Sequence, residues 1–267
     1  MKFAPFLVFL LSMSAFQQAE AQQADQWNGK QCAVVLTYDD ALNVHLDNAI
    51  TCLDSVGLKG TFYITGESPV ISKRMSEWRA AAKNGHELGN HTLTHPCDGG
   101  LPGRTWVSAE NDLSKYSFDR VVNEIRVTNT LLQAIDGKTE RTFAFPCGDL
   151  KVDTISFYPT VENEFVGARG VGEGLLSIKN TDLNNINCFA INGQSGDYMI
   201  GLVKKAMESN TLLVFLFHGV GGEHNLNVSL EAHRQLVRYL KQHENKIWIA
   251  PMVDVAKYIR VKQTVNK

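Results

Sequence analysis

The sequence predicts an α/β protein in which parallel strands alternate with helices. Short apolar segments rich in β-branched residues alternate with longer segments whose apolar residues recur at helical spacing. The segment Leu212–Phe217 reads LLVFLF, which is typical of a strand buried on both faces. No Pro-, Gly- or Ser-rich linker divides the chain. We therefore expect one domain built on a parallel sheet that is covered by helices.

The predicted strands are the short apolar segments, most of which are followed by a polar residue or a turn residue. In chain order they are 32–37, 60–64, a segment ending at Leu88, 142–145, 165–168, 189–191, 212–217 and 246–249. Roughly seven or eight βα units in about 240 residues suit a single α/β barrel. An open doubly wound sheet is the alternative, because periodicity does not separate the two.

The predicted helices are the segments with a 3.6-residue apolar period, which is clearest in Phe118–Ile135. Pro251 stands where proline commonly begins a helix. Gly, Pro and Asn punctuate 101–115, which is therefore a predicted loop. The helices are 42–56, 71–83, 118–135, 198–207, 228–242 and a last one that begins at Pro251.

Composition excludes several classes of protein. The chain has 267 residues, of which 44% are hydrophobic and 20% are charged, and its formal net charge is −2. These values exclude a disordered chain and a collagen-like fibre, and the length allows a sizeable core. Because the charge is not strongly basic, a dedicated nucleic-acid-binding protein is disfavoured.

The first 21 residues resemble a secretory signal peptide. Lys2 precedes an apolar run over 3–15, and Ala19–Ala21 forms an A-x-A cleavage pattern. The run is shorter than the roughly 20 residues of a membrane span, although an uncleaved anchor is the alternative. We expect a secreted or periplasmic protein with no membrane span in the mature chain. The predicted division is signal peptide 1–21, lead-in 22–32, catalytic domain 33–260 and tail 261–267.

Polar residues follow several predicted strands at the point where each strand ends. In a parallel barrel the carboxyl ends of the strands meet at one face, where catalytic residues collect. The four polar segments are Thr37–Asp40, His91–His95, Phe143–Gly148 and Leu216–His218.

These residue types suit a catalytic metal site. His91 and His95, four residues apart, would lie on one face of a helical turn and reach one cation. One added carboxylate leaves coordination positions open for water and substrate. Because neighbouring side chains diverge, we expect one of Asp39 and Asp40 to bind the metal and the other to accept a proton. His218 could protonate a leaving group. Each pattern alone is more often structural; their succession at strand ends favours a site.

These segments resemble the motifs of the polysaccharide deacetylases with NodB homology, carbohydrate esterase family four. The resemblance extends from about Ala33 to Tyr258. Thr37–Asp40 is similar to the T-[FY]-D-D motif, and His91–His95 is similar to H-[ST]-x-x-H. Phe143–Gly148 is similar to the third motif, and Leu216–His218 is similar to L-x-H.

The resemblance implies a single distorted (β/α)₇ barrel and a hydrolase that removes acetyl groups from an N- or O-acetylated carbohydrate. It implies a divalent metal, foremost Zn²⁺, with Co²⁺ or Ni²⁺ as alternatives. The alternative functions are a non-catalytic carbohydrate-binding protein on the same scaffold and a different mononuclear metallohydrolase. The implied roles are Asp39 as base, His218 as acid, Asp40, His91 and His95 as metal ligands, Pro146 and Cys147 at the oxyanion, and Leu216 at the acetyl pocket.

Two departures from the family pattern concern the groups that orient the base and the acid. Ala144 stands where the third motif often has an arginine that braces the base. Arg169 follows a predicted strand and is our candidate replacement, because its planar fork suits a carboxylate. Arg141 precedes its strand and is expected at the opposite end. For the acid, Asp182 and Asp197 are both candidate partners of His218.

Two further predictions concern the loops around this site. Trp106, in the loop after the histidine pair, is the best candidate for stacking on a sugar ring. Cys97 and Cys147 belong to loops that we expect to converge. They form either a disulfide or two free thiols.

Overall fold

The structure is a computed structural model that describes residues 27–265; the predicted signal peptide lies outside this part. Twelve strands are described: β1 Cys32–Asp39, β2 Thr61–Ile64, β3 Glu87–Asn90, β4 Thr142–Ala144, β5 Lys151–Val152, β6 Ile155–Ser156, β7 Gly167–Arg169, β8 Phe189–Ala190, β9 Leu212–Phe217, β10 Gly219–Val220, β11 Asn227–Val228 and β12 Ile247–Ile249. Seven α-helices are described: α1 Thr51–Ser55, α2 Pro69–Lys73, α3 Met75–Lys83, α4 Phe118–Asp136, α5 Gly196–Ser209, α6 Leu230–Gln242 and α7 Met252–Val265.

The main sheet is parallel and curls into a distorted barrel. Its strand order is β7-β4-β3-β2-β1-β9-β8, and β12 pairs with the first half of β1. The segment before β8 also hydrogen-bonds to the chain around the end of β7, as Gly170 N–H donates to Ile186 O at 2.9 Å. The two ends of the sheet are thereby joined. The α/β barrel predicted from the sequence is confirmed, and the open doubly wound sheet is not what forms.

Strand β1 lies at the centre, and all eight of its residues are buried. It pairs with β9 along one edge and with β2 and β12 along the other.

Helix α4 shows how the covering helices begin and end. At its start the Ser117 side chain accepts from Arg120 N–H, and at its end Gly137 takes a left-handed backbone with φ 72°.

Two predicted helices differ from the structure. The helix predicted over 71–83 is two helices, because Arg74 leaves helical geometry at φ −127° and its guanidinium pairs with Asp47 and Glu77. The helix predicted over 42–56 begins at His45 with a π-helical turn that continues into α1.

The ends of the described chain belong to the domain. Trp27, in the predicted lead-in, is fully buried, and its Nε1–H donates to Asn210 O at 2.9 Å. Helix α7 continues to Val265, so most of the predicted tail is helical. Within residues 27–265, no helix is both long and apolar enough to cross a membrane.

Candidate active site

The predicted site residues meet in a cavity of about 890 Å³ at the carboxyl ends of the strands. Asp39 ends β1, Arg169 ends β7 and His218 directly follows β9. Because all these strands are parallel, their ends open onto one face. The predicted residues that line this cavity are Asp39, Asp40, His91, His95, Trp106, Cys147, Arg169, Leu216 and His218.

Asp40, His91 and His95 form a candidate metal centre. Asp40 Oδ1 lies 3.6 Å from His91 Nε2 and 3.4 Å from His95 Nε2. One ligand atom from each residue falls within 4.8 Å of the other two. Asp40 Oδ1 is buried and has no hydrogen-bond partner among residues 27–265. A buried carboxylate oxygen without a donor is costly, so the donor set fits a divalent cation.

The histidine pair is not on a helical turn, so that part of the sequence prediction is wrong. His91 and His95 lie in a loop after β3, and Thr92 and His95 have left-handed backbones with φ 63° and 55°. The Thr92 hydroxyl accepts from His95 N–H at 3.0 Å, and the Asn90 side chain accepts from Thr92 N–H at 2.8 Å. These bonds bring the two rings to a centroid separation of 4.7 Å without a helix.

His91 is prepared to act as a ligand through Nε2. Its Nδ1 lies 2.8 Å from the Ala144 carbonyl, which can only accept, so Nδ1 carries the proton and Nε2 keeps its lone pair. Burial lowers the pKa of His91 to about 4, which keeps the ring neutral at pH 7. A neutral ring with this tautomer is the form that binds metals.

The two adjacent aspartates both face the site, contrary to the expectation that they diverge. Asp39 Oδ2 and Asp40 Oδ1 each lie 3.6 Å from His91 Nε2. Asp40 leaves the extended geometry of β1 with φ 82°, which turns its side chain towards that of Asp39. Burial alone would raise the pKa of Asp40, but the four surrounding histidines lower it.

Arg169 holds Asp39, as the sequence predicts. Its guanidinium donates to Asp39 Oδ2, and Nη1 donates to Gly170 O at 3.1 Å. Both side chains are buried. Burial would lower the pKa of Arg169, but the carboxylate of Asp39 raises it. Arg141 instead pairs with Asp136 and donates to Leu88 O, away from this site.

His218 has neither of its predicted carboxylate partners. Asp182 accepts from Asn184 N–H at 2.9 Å and Asp197 accepts from Gln235 at 2.6 Å, and both bonds lie at exposed positions. The predicted orienting role of these aspartates is therefore wrong. Asp182 accepts from a donor two residues away in the loop before β8, whereas Asp197 lies in the first turn of α5 and faces Gln235 of α6. Burial lowers the pKa of His218.

Sequence reasoning missed two histidines beside His218. His224 stacks on the His218 ring with centroids 4.8 Å apart, and it lines the cavity. His45 is fully buried, and its Nε2 lies 2.8 Å from the His218 carbonyl oxygen. The sequence offers one indication of His224, because this residue lies in the Gly-rich segment directly after the L-x-H motif.

The loops around the cavity are joined by a disulfide between Cys97 and Cys147, whose Cα atoms are 5.8 Å apart. Of the two alternatives left open by the sequence, the bridge is therefore the one that forms. Trp106 is 65% exposed at the cavity and Leu216 is buried within its wall. Pro146 is buried and is not among the described residues that line the cavity.

Comparison with known proteins agrees with these motifs. The sequence profile of the polysaccharide deacetylases matches residues 27–163, just over half of the chain. A peptidoglycan-N-acetylglucosamine deacetylase of Bacillus cereus is 29% identical over 124 residues, 44% of this chain and 37% of that protein. A gellan lyase of a Bacillus species is 24% identical over 273 residues, 94% of this chain and 10% of that protein. The chain thus spans 10% to 37% of the length of the curated relatives it matches.

Solved structures share the fold at low identity. The Xyl-CE4 domain of a multidomain xylanase from the hindgut metagenome of Trinervitermes trinervoides superposes with a TM-score of 0.54 at 18% identity, covering 85% of this chain and 90% of that one. A mutant of the peptidoglycan deacetylase PdaC from Bacillus subtilis gives 0.52 at 15% identity, covering 88% and 96%. A mutant described as a CE4 family pseudoenzyme gives 0.53 at 17%, covering 84% and 67%. Because the family profile matches just over half of its length, the chain belongs to the polysaccharide deacetylase family of hydrolases.

Proposed function

We propose that the protein is a metal-dependent deacetylase that removes acetyl groups from an exported or extracellular carbohydrate. One observation carries this proposal. The candidate metal centre of Asp40, His91 and His95 shares a cavity with an aspartate held by a buried arginine. A protein that only binds sugar has no use for such an oriented base.

Zn²⁺ is the metal that the donor set favours, with Co²⁺ or Ni²⁺ as alternatives. Two imidazole nitrogens and one carboxylate oxygen are common ligands of a catalytic zinc ion, which keeps an open position. When bound, such a cation acts as a Lewis acid and lowers the pKa of a water molecule.

Asp39 is the proposed general base. Arg169 occupies its Oδ2, which leaves the buried Oδ1 without a partner in the described part of the chain. An oxygen in that position can accept the proton of an attacking water molecule as the bond to the acetyl carbon forms. Arg169 keeps the carboxylate oriented, so it is a positioning residue in this scheme.

His218 is the proposed general acid. It stands across the cavity, with Nε2 3.9 Å from Asp40 Oδ2. A proton from His218 would go to the departing nitrogen or oxygen as the bond to the acetyl carbon breaks. The apolar wall at Leu216 suits an acetyl methyl group, and the exposed ring of Trp106 suits a sugar face.

The deciding experiment measures acetate release from N- and O-acetylated glycans, including N-acetylglucosamine polymers and acetylated xylan. The protein is stripped with a chelator and reloaded with Zn²⁺, Co²⁺ or Ni²⁺. We expect no release without metal and recovery with at least one of the three. Glycan binding without acetate release under any metal would favour the non-catalytic alternative. Release from a non-carbohydrate ester or cyclic amide alone would favour a different metallohydrolase.

Export is the remaining part of the proposal. The leader predicted over 1–21 would be removed during secretion, and mass spectrometry of protein recovered from a secreting host is expected to find Gln22 as the first residue. A full-length chain retained in the membrane fraction would indicate an uncleaved anchor instead.

A further inference from the structure

His218 pairs with neither Asp182 nor Asp197, but its ring has an aromatic partner. The rings of His218 and His224 are nearly parallel, at an interplanar angle of 13° and a centroid separation of 4.8 Å. Each Nε2 lies 3.9 Å from the same oxygen, Asp40 Oδ2. The other Asp40 oxygen faces His91 and His95. The two rings are therefore stacked with their Nε2 atoms on the same side. His224 is not one of the three residues of the candidate metal centre.

The orientation of His224 is fixed by its own loop. Its Nδ1 lies 3.0 Å from the Leu226 nitrogen and 3.3 Å from the Leu226 carbonyl oxygen, so the ring is held by the backbone two residues on. Its Nε2 is on the side of Asp40 and His218. The side chain remains 32% exposed, so it forms part of the cavity wall.

The loop is tied to the protein on the opposite side of the site. Glu223, whose φ is 68°, accepts from the Asn43 side chain and from Val44 N–H, each at 2.7 Å. Gly222 N–H donates to Asn227 at 2.8 Å, which closes the loop at its base. These bonds hold His224 against His218 instead of leaving it in solvent.

The backbone of His218 is held from its other side. The His45 Nδ1 accepts from Leu42 N–H at 3.2 Å, so its Nε2–H donates to the His218 carbonyl at 2.8 Å. His45 therefore fixes the main chain of His218 and not its ring. The ring itself has Asp40 Oδ2 3.9 Å from its Nε2, and His224 stacks on its face.

We propose that His224 is the positioning residue of His218, whose ring it holds by stacking in the place where a carboxylate would otherwise act. This rests on the proposed function, in which His218 protonates the leaving group. If it is correct, an aromatic ring at position 224 matters more than an ionisable one. Loss of the ring impairs protonation without affecting metal binding.

The test compares His224→Ala with His224→Phe on two substrates. An N-acetylated sugar has a poor leaving group that needs a proton, whereas an activated aryl acetate does not. For His224→Ala we expect kcat on the sugar to fall by about 10- to 100-fold, a part of the usual contribution of a general acid, with KM unchanged. Aryl acetate turnover and metal content should stay within about threefold, since attack on the carbonyl is unaffected. His224→Phe should recover most of the sugar activity.

Three results would overturn the proposal. Loss of metal from His224→Ala would identify His224 as a ligand. Equal loss on both substrates would indicate a general structural role. Failure of His224→Phe to recover activity beyond the alanine variant would show that a ring nitrogen is needed. His218→Ala is the benchmark, because it should show the same substrate-dependent loss to a greater degree.

A second readout needs no turnover and therefore separates this proposal from the proposed function. The ring current of His224 should shift the ring proton resonances of His218, which are assigned by their absence in His218→Ala. We expect the shift to vanish in His224→Ala and to persist in His224→Phe. If the native protein shows the shift but no deacetylase activity, the stack exists and the proposed function fails. If the shift is absent, the stack itself is refuted.

Discussion

The two adjacent aspartates have different surroundings, which support the different roles proposed for them. Asp39 contacts the Arg169 guanidinium through one oxygen, whereas Asp40 faces histidines on both of its oxygens. The planar guanidinium orients the Asp39 carboxylate, as a base requires. The imidazoles around Asp40 are themselves metal-ligating groups, so its oxygens and theirs can bind the same cation. The roles proposed for the two residues therefore follow from their partners.

Asp39→Asn should separate turnover from metal binding. The amide cannot accept the proton of the attacking water, so we expect kcat to fall by about 10²- to 10⁴-fold. Metal content, measured by elemental analysis, should stay at one ion per chain. His91→Ala combined with His95→Ala is the matched control, in which the metal should be lost. Near-native turnover of Asp39→Asn would remove Asp39 from the mechanism.

Arg169→Lys should slow turnover although it keeps the positive charge. Lysine lacks the planar fork, so the Asp39 carboxylate would be held less firmly, and a misplacement of about 1 Å can cost roughly 100-fold. We expect kcat to fall by about 10- to 100-fold with KM and metal content unchanged. Arg141→Lys, at the buried ion pair with Asp136 away from the site, is the control and should leave kcat unchanged. Equal kcat for native protein and Arg169→Lys would contradict the positioning role.

The loops after β3 and β4 act as one unit because several bonds join them. Cys97 is bridged to Cys147, and the Arg104 guanidinium pairs with Asp149, which also accepts from Asp98 N–H at 2.8 Å. The bridge lies close to the metal centre, since Cys97 Sγ is 3.5 Å from His95 Nδ1. The disulfide therefore stabilises the fold and the position of a candidate ligand together.

Replacing Cys97 and Cys147 by serine should destabilise the protein. The bridge joins residues 50 positions apart, and closing such a loop in the unfolded chain contributes about 4 kcal/mol to the free energy of unfolding. Urea unfolding should show a loss of that order, and metal affinity should fall because His95 loses its support. Cys52→Ser, at a free and half-buried cysteine, should change stability by less than about 0.5 kcal/mol. Equal effects of the two changes would refute this role of the bridge.

Two buried histidines behind the site, His45 and His233, affect the stability of the whole molecule. Burial lowers the pKa of His45 to about 4 and that of His233 to about 3. His233 Nε2 lies 2.7 Å from the Tyr38 hydroxyl, inside the main hydrophobic core. In the unfolded chain these rings titrate near about 6.5, so between about pH 6.5 and 4 the unfolded state binds more protons. Stability must therefore fall as the pH falls through this window.

The acid sensitivity should lessen when one buried histidine is removed. Each such ring contributes a slope of up to about 1.4 kcal/mol per pH unit. His233→Gln can keep the hydrogen bond to Tyr38 but does not titrate. Urea unfolding between pH 7 and 4.5 should therefore give a shallower slope for this variant, whatever its stability at pH 7. An unchanged slope for His233→Gln would refute the assignment.

The parallel α/β sheet and the gathering of polar residues at its strand ends could be predicted from the sequence because both depend on local patterns. A strand buried on both faces must be continuously apolar, as Leu212–Phe217 is. The carboxyl ends of parallel strands must meet, so polar residues just beyond them converge. The aspartate pair, His91 and His95 could therefore be assigned to one site before their distances were known. The choice of Asp40 as the ligand and of a barrel over an open sheet came from the family resemblance.

Only the tertiary structure decided the features of the site that depend on backbone conformation or on contacts between residues distant in sequence. The left-handed backbones at Asp40 and Thr92 turn side chains inward that regular strand or helix geometry would direct elsewhere. The pairing of Arg169 with Asp39 spans 130 residues, and its confirmation required the closed sheet. His224 reaches His218 only because Glu223 anchors their loop to a segment about 180 residues earlier. No local pattern encodes such contacts, because they form between surfaces that exist only after the chain has folded.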